Sequence, residues 1–101
     1  MAMSLADIQR HIELTFGAND RQRGIDGTFM WFLEEVGELA GALRGRDAQA
    51  LAMEFADVQV WLATLANLSG VDLTAAVAQK YGAGCPGCGG TPCRCGTSEK
   101  P

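Results

Sequence analysis

Basic residues are scarce in this chain: eight lysines and arginines stand against twelve aspartates and glutamates, for a net charge of −4. The few cations are scattered, which excludes the electrostatic footprint of a protein that binds a nucleic-acid polymer. Histidine occurs once, at His11 beside Ile12, with no partner at metal-ligand spacing, so it reads as a structural residue. No apolar run approaches the roughly 18 residues of a membrane span. The start, Met1-Ala2-Met3-Ser4, has neither the basic opening nor the apolar stretch of a secretory signal, so a cytoplasmic protein without a membrane partner is expected. Two-residue alternation bounded by hairpin turns is missing, which leaves an all-α fold, and no solenoid repeat is present. Cysteine is absent outside the span Cys85 to Cys95.

What is present is a chain of 101 residues, 48% apolar, enough for one domain with a thin core. Such a domain often gains stability from oligomerisation or a metal. Leu5, Ile8, Ile12 and Phe16 recur at helical spacing between Ser4 as N-cap and Gly17 as a stop. Residues 17–27 hold Gly, Asn and Asp without periodicity and read as a loop. Phe29, Phe32, Leu33, Val36, Ala40 and Leu43 mark a second helix ending near Gly45. Asp47 caps a third, with Leu51, Phe55, Val58, Leu62 and Leu65, that ends at Gly70. Asp72 caps a short fourth that stops at Gly82. The expectation is a four-helix bundle over residues 1–83 followed by a Cys-rich tail over 84–101.

The second helix carries Glu34, Glu35 and Glu38; the third carries Glu54 and Asp57. Residues three or four apart are neighbours on a helix surface, so each helix presents an acidic edge. The connection around Arg46 is short, which makes the two helices antiparallel. Glu38 and Glu54 each lie eight residues from Arg46, Glu35 and Asp57 each eleven. At about 1.5 Å of rise per residue the two pairs sit at matching heights, roughly 12 and 16 Å from the turn. Acids of this kind are usually solvated helix surface. Here Glu54 falls within the apolar face formed by Leu51, Val58, Trp61 and Leu65, where a lone carboxylate is costly. Between Thr28 and Gln79 the only cations are Arg44 and Arg46. Crowded carboxylates without cations call for a metal, and oxygen ligands without His or Cys select Mg²⁺ or Mn²⁺.

The string Glu34-Glu35-Val36-Gly37-Glu38-Leu39-Ala40, followed by Glu54-Phe55-Ala56-Asp57-Val58, resembles the MazG-like nucleotide pyrophosphohydrolases of the all-α NTP pyrophosphatase superfamily. The resemblance runs from about Leu5 to Tyr81 and takes in Gln22-Arg23-Gly24, Asn67 and Lys80. It implies a MazG-like bundle that hydrolyses a nucleoside triphosphate to the monophosphate and pyrophosphate, in a house-cleaning role. It also implies that Glu35, Glu38, Glu54 and Asp57 hold Mg²⁺ and that Glu34 orients or deprotonates the attacking water, with a place among the metal ligands as the alternative for Glu34. A homodimer or homotetramer is implied too; Met30 and Trp31, outside the main apolar stripe of the second helix, are in keeping with a covered face. Lys80, Arg21 and Arg23 are candidate phosphate contacts. Asn67 is a candidate for the ribose or base, although the helical wheel turns it away from the acidic face. Trp31 and Trp61 read as core before they read as a nucleobase stack. The competing readings are a pyrophosphohydrolase of the phosphoribosyl-ATP type and a non-catalytic oligomeric interaction module.

The tail reads Cys85-Pro86-Gly87-Cys88, four residues, then Cys93-Arg94-Cys95. Four thiolates close a tetrahedral zinc site, and a Cys-x-x-Cys turn with glycine is a usual half of one. The Cys-x-Cys half is tighter than the common pattern, and a flexible tail with free thiols is the alternative.

Overall fold

The computed structural model describes residues 2–97. Residues 98–101 of the expected tail lie outside the described residues. Among the described residues there are three helices and no strands: α1 (Leu5–Arg44), α2 (Ala48–Leu68) and α3 (Leu73–Tyr81). None of them alone is long and apolar enough to cross a membrane.

Each start follows from its cap. Ser4 and Asp7 form a reciprocal capping box at α1. The Asp47 carboxylate accepts from Gln49 and Ala50 at the head of α2, and Asp72 accepts from Ala75 at the head of α3. Gly70, at φ 68°, turns the chain between α2 and α3.

The loop expected over residues 17–27 is helical instead. The chain runs through Gly17 and is interrupted at Gly24 alone, whose φ of 80° and ψ of 176° only glycine adopts freely. One 40-residue element, broken at one residue, therefore stands where two helices and a loop were expected. Contacts with α2 override the weak propensity of this stretch: Asp20 is buried and Arg23 lies over the Trp61 ring, while within α1 the Asp20 carboxylate accepts from Arg23 at 2.6 Å and Glu13 pairs with Arg21.

The main packing is α1 against α2, with α3 making a lesser contact on α1. Gln9 ties the start of α1 to the end of α2: its Nε2 donates to Asn67 Oδ1 (3.0 Å) and to the Val71 carbonyl (2.7 Å). Its Oε1 accepts from the Leu73 N–H, and Asn67 Nδ2 donates to the Gln9 carbonyl. The second half of α1 runs antiparallel to α2 around the Gly45-Arg46-Asp47 turn. Trp31 and Trp61 each lie fifteen residues from Arg46, and their rings stack at 6.3 Å and 19°. The register expected for the acids thus also pairs the tryptophans.

The interior is thin. Fully buried apolar residues are Ile12, Ala63 and Ala66, beside buried Thr28 and Thr64. Phe29, Met30, Trp31, Leu33, Met53 and Phe55 are all exposed, Met30 to 68% and Phe55 to 53%.

Candidate active site

The antiparallel turn places the acidic edge of α1 against that of α2. Glu35, Glu38 and Glu54 each bring a carboxylate oxygen within 4.8 Å of the other two, the span of one coordination shell. Glu35 and Glu54 are half-buried, and Glu38 is exposed. Oε2 of Glu35 and Oε2 of Glu54 are buried with no hydrogen-bond partner. Among the described residues the ion pairs are Glu13–Arg21 and Asp20–Arg23, so neither neutralises a member of this cluster.

The electrostatics follow from that crowding. Burial raises the Glu35 carboxyl above its ordinary value, and Glu38, Asp57 and Glu54 push it the same way. Burial likewise raises Glu54, helped by Glu38 and Asp57. Asp57 therefore lies within electrostatic reach of the cluster, although its oxygens are not among the three that converge. Glu34 is exposed, one helical turn from Glu38. Three converging carboxylates, two of them with a buried unpartnered oxygen and none in an ion pair among the described residues, form an oxygen-only set suited to Mg²⁺ or Mn²⁺.

Asp57 also borders a cleft of about 290 Å³ lined by Phe16, Asp20, Arg23, Val60, Trp61 and Thr64. Arg23 lies 4.8 Å over the Trp61 ring while its guanidinium donates to Asp20. Burial raises the Asp20 carboxyl, only partly offset by the Arg23 charge. A cation and an aromatic face thus line the same cleft as Asp57.

The other candidate contacts sit elsewhere. Arg21 is paired with Glu13. Asn67 has its amide engaged on both sides by Gln9. Lys80 lies on α3 with its Nζ 5.4 Å over the Tyr81 ring. Sequence reasoning passed over Asp20, Thr64 and Phe16. With residues 16–23 taken as helix, Phe16, Asp20 and Arg23 fall at positions i, i+4 and i+7 of one face, the signal that would have found them.

The four cysteines form a second cluster. Cys85, Cys88, Cys93 and Cys95 have sulfurs within 4.8 Å of one another. The Arg94 and Gly90 backbone N–H groups hold the Cys88 thiol down to about 6, whereas the neighbouring thiols push Cys95 up to about 12.

Comparison with known proteins accords with this geometry. The family model for the MazG nucleotide pyrophosphohydrolase domain matches residues 23–88, which hold all five acids and end at the second cysteine. A dATP/dGTP diphosphohydrolase from Cyanophage S-2L is 35% identical over 80 residues, covering 79% of this chain and 72% of that protein. With two acid-bearing helices in antiparallel register and a family match over most of its length, the chain belongs to the MazG nucleotide pyrophosphohydrolases and is a hydrolase acting on nucleoside triphosphates.

Proposed function

We propose that this enzyme cleaves a purine deoxynucleoside triphosphate between its α- and β-phosphates, releasing the monophosphate and pyrophosphate, with Mg²⁺ or Mn²⁺ held by Glu35, Glu38, Glu54 and Asp57. The observation that carries the reading is the convergence of Glu35, Glu38 and Glu54 oxygens, two of these residues presenting a buried oxygen without a partner. A divalent ion fits that set, because it would neutralise the repulsion that raises Glu35 and Glu54. When bound, it supplies charge neutralisation of the phosphates and a more acidic water.

The chain's own groups do the positioning that phosphoryl chemistry mainly requires. Glu34, exposed beside Glu38, accepts the proton of the attacking water or orients it. Arg23, held by Asp20 and stacked on Trp61, faces the cleft that borders Asp57 and is the best-placed phosphate contact. Phe16 and Trp61 offer faces for a base, with Thr64 and Asp20 as polar neighbours. The purine preference is drawn from the activity in the phage relative's name. Arg21, Lys80 and Asn67 are left as outer contacts, since none of them lines the cleft that borders Asp57.

Exposed Phe29, Met30, Leu33, Met53 and Phe55 make the isolated chain a poor stable unit, and a second copy covers them, giving a homodimer or a homotetramer built from dimers. Residues 1–83 act as the catalytic unit and 84–101 as an appendage. The role is clearance of nucleotides from the cytoplasmic pool. The test is pyrophosphate release from each canonical and modified triphosphate with Mg²⁺. Turnover of dATP or dGTP that EDTA abolishes is expected; a folded protein that turns over none of them overturns the reading.

A further inference from the structure

We propose that Cys85, Cys88, Cys93 and Cys95 bind one zinc ion as a closed tetrahedral tetrathiolate that folds the segment following α3. This inference is independent of the hydrolase reading, since the carboxylates contribute nothing to it.

The first argument is distance. Cys85 Sγ lies 3.9 Å from Cys95 Sγ, and Cys88 Sγ lies 3.9 Å from Cys93 Sγ. Zinc–sulfur bonds of about 2.3 Å at tetrahedral angles separate neighbouring sulfurs by about 3.8 Å. A disulfide requires about 2.05 Å, and pairing into two disulfides gives no reason for all four sulfurs to share one centre. All four do share one, within 4.8 Å. That spread suits a single ion; an iron–sulfur cluster, with its own inorganic atoms inside, holds its thiolates farther apart.

The backbone supplies the second argument. N–H groups point at the sulfurs, from Gly87 to Cys85 (3.3 Å), from Arg94 to Cys88 (3.2 Å) and from Cys95 to Cys93 (3.3 Å). Such donors stabilise thiolate charge around a metal and orient the ligands. The turn itself is closed by Gly89 N–H to the Cys85 carbonyl (2.7 Å) and Cys85 N–H to the Gly90 carbonyl (3.0 Å). Gly84 has φ 116°, and a Cβ there would stand 2.7 Å from Thr91 Oγ1. The path of the chain is thus specified closely.

Third, this segment has no other means of folding. Apart from the cysteines, residues 84–97 contain only glycine, proline, threonine and Arg94. A stretch so poor in apolar side chains cannot bury a core, and metal binding supplies the folding free energy instead. With four protein ligands and no open position, the site is structural, and the thiol protons leave to solvent as the ion binds.

The experiment uses the full chain, purified without chelator and incubated with Zn²⁺. Elemental analysis should find one zinc per chain after desalting, and a mercurial reagent should release it as the four thiols react. Exchange with Co²⁺ should give the visible bands of tetrahedral thiolate coordination. Cys88→Ser and Cys95→Ser should each lower zinc content at least tenfold. Glu38→Ala should keep full zinc while losing turnover, which separates this site from the carboxylate site. Should the cysteine variants aggregate, the wild-type zinc and thiol counts decide alone. Zinc-free protein with four freely reactive thiols, a mass lower by four hydrogens (two disulfides), or stoichiometric iron would each overturn the proposal.

Discussion

Gly24→Ala isolates the backbone term that lets one 40-residue element serve as two helices. Its φ of 80° and ψ of 176° lie in a region that L-residues avoid, yet a Cβ there would meet no atom within 4 Å. The whole penalty is therefore strain, about 1–3 kcal/mol. For a domain of this size each kcal/mol is about 4–8 °C in Tm, so a fall of roughly 4–24 °C is expected. Gly41→Ala is the control: Gly41 is helical, and it too has open space around its missing Cβ. There alanine should stabilise by about 0.5–1 kcal/mol, because it loses less backbone freedom on folding. Unfolding followed by circular dichroism in EDTA reads both. Gly24→Ala should also raise KM for the triphosphate, since Arg23 and Asp20 are placed by the residue that follows them. If both substitutions shift Tm in the same direction, the assigned conformation at Gly24 is wrong.

Glu38→Ala and Asp57→Ala should lower kcat at least 100-fold with helicity unchanged, and the rise in Tm that Mg²⁺ gives the wild type should vanish; retained turnover would remove either residue from the mechanism. Glu35 and Glu54 are raised by burial and by like charge. A raised acid favours the fold while protonated, so metal-free stability present below about pH 4.5, the ordinary glutamate value, is lost as pH rises through the folded value. Glu54→Gln should flatten that part of the Tm profile, and saturating Mg²⁺ should do the same in the wild type. Arg23→Ala leaves the buried Asp20 without its partner; with Arg23 itself partly exposed, the cost should be about 2 kcal/mol in urea unfolding, below that of a fully buried pair. Phe55→Glu, placed on the exposed apolar surface, should shift the sedimentation of the protein to that of a single chain, and an unchanged mass would put the interface elsewhere.

The convergence of Glu35, Glu38 and Glu54 was readable because it rests on local rules. Helical spacing puts Glu35 beside Glu38 and Glu54 beside Asp57, and a short turn equalises their heights, so only an antiparallel pair was needed to join them. The stretch from Gly17 to Gly27 was not readable. Its glycines, Asn19 and Asp20 weaken local helix preference, and what overrides that weakness is non-local: Asp20 buried near Thr64, and Arg23 resting on Trp61. The tie between Asn67 and Gln9 was unreadable for a related reason, because the two lie 58 residues apart.

Sequence alone determined the helical class, the paired acid edges and the thiol set, since each depends on spacing within a few turns. Tertiary structure decided which oxygens meet and that Arg23 lines the cleft that Asp57 borders. Those outcomes depend on the bend at Gly24 and on how two helices seat against each other, and no count along one strand of chain contains that information.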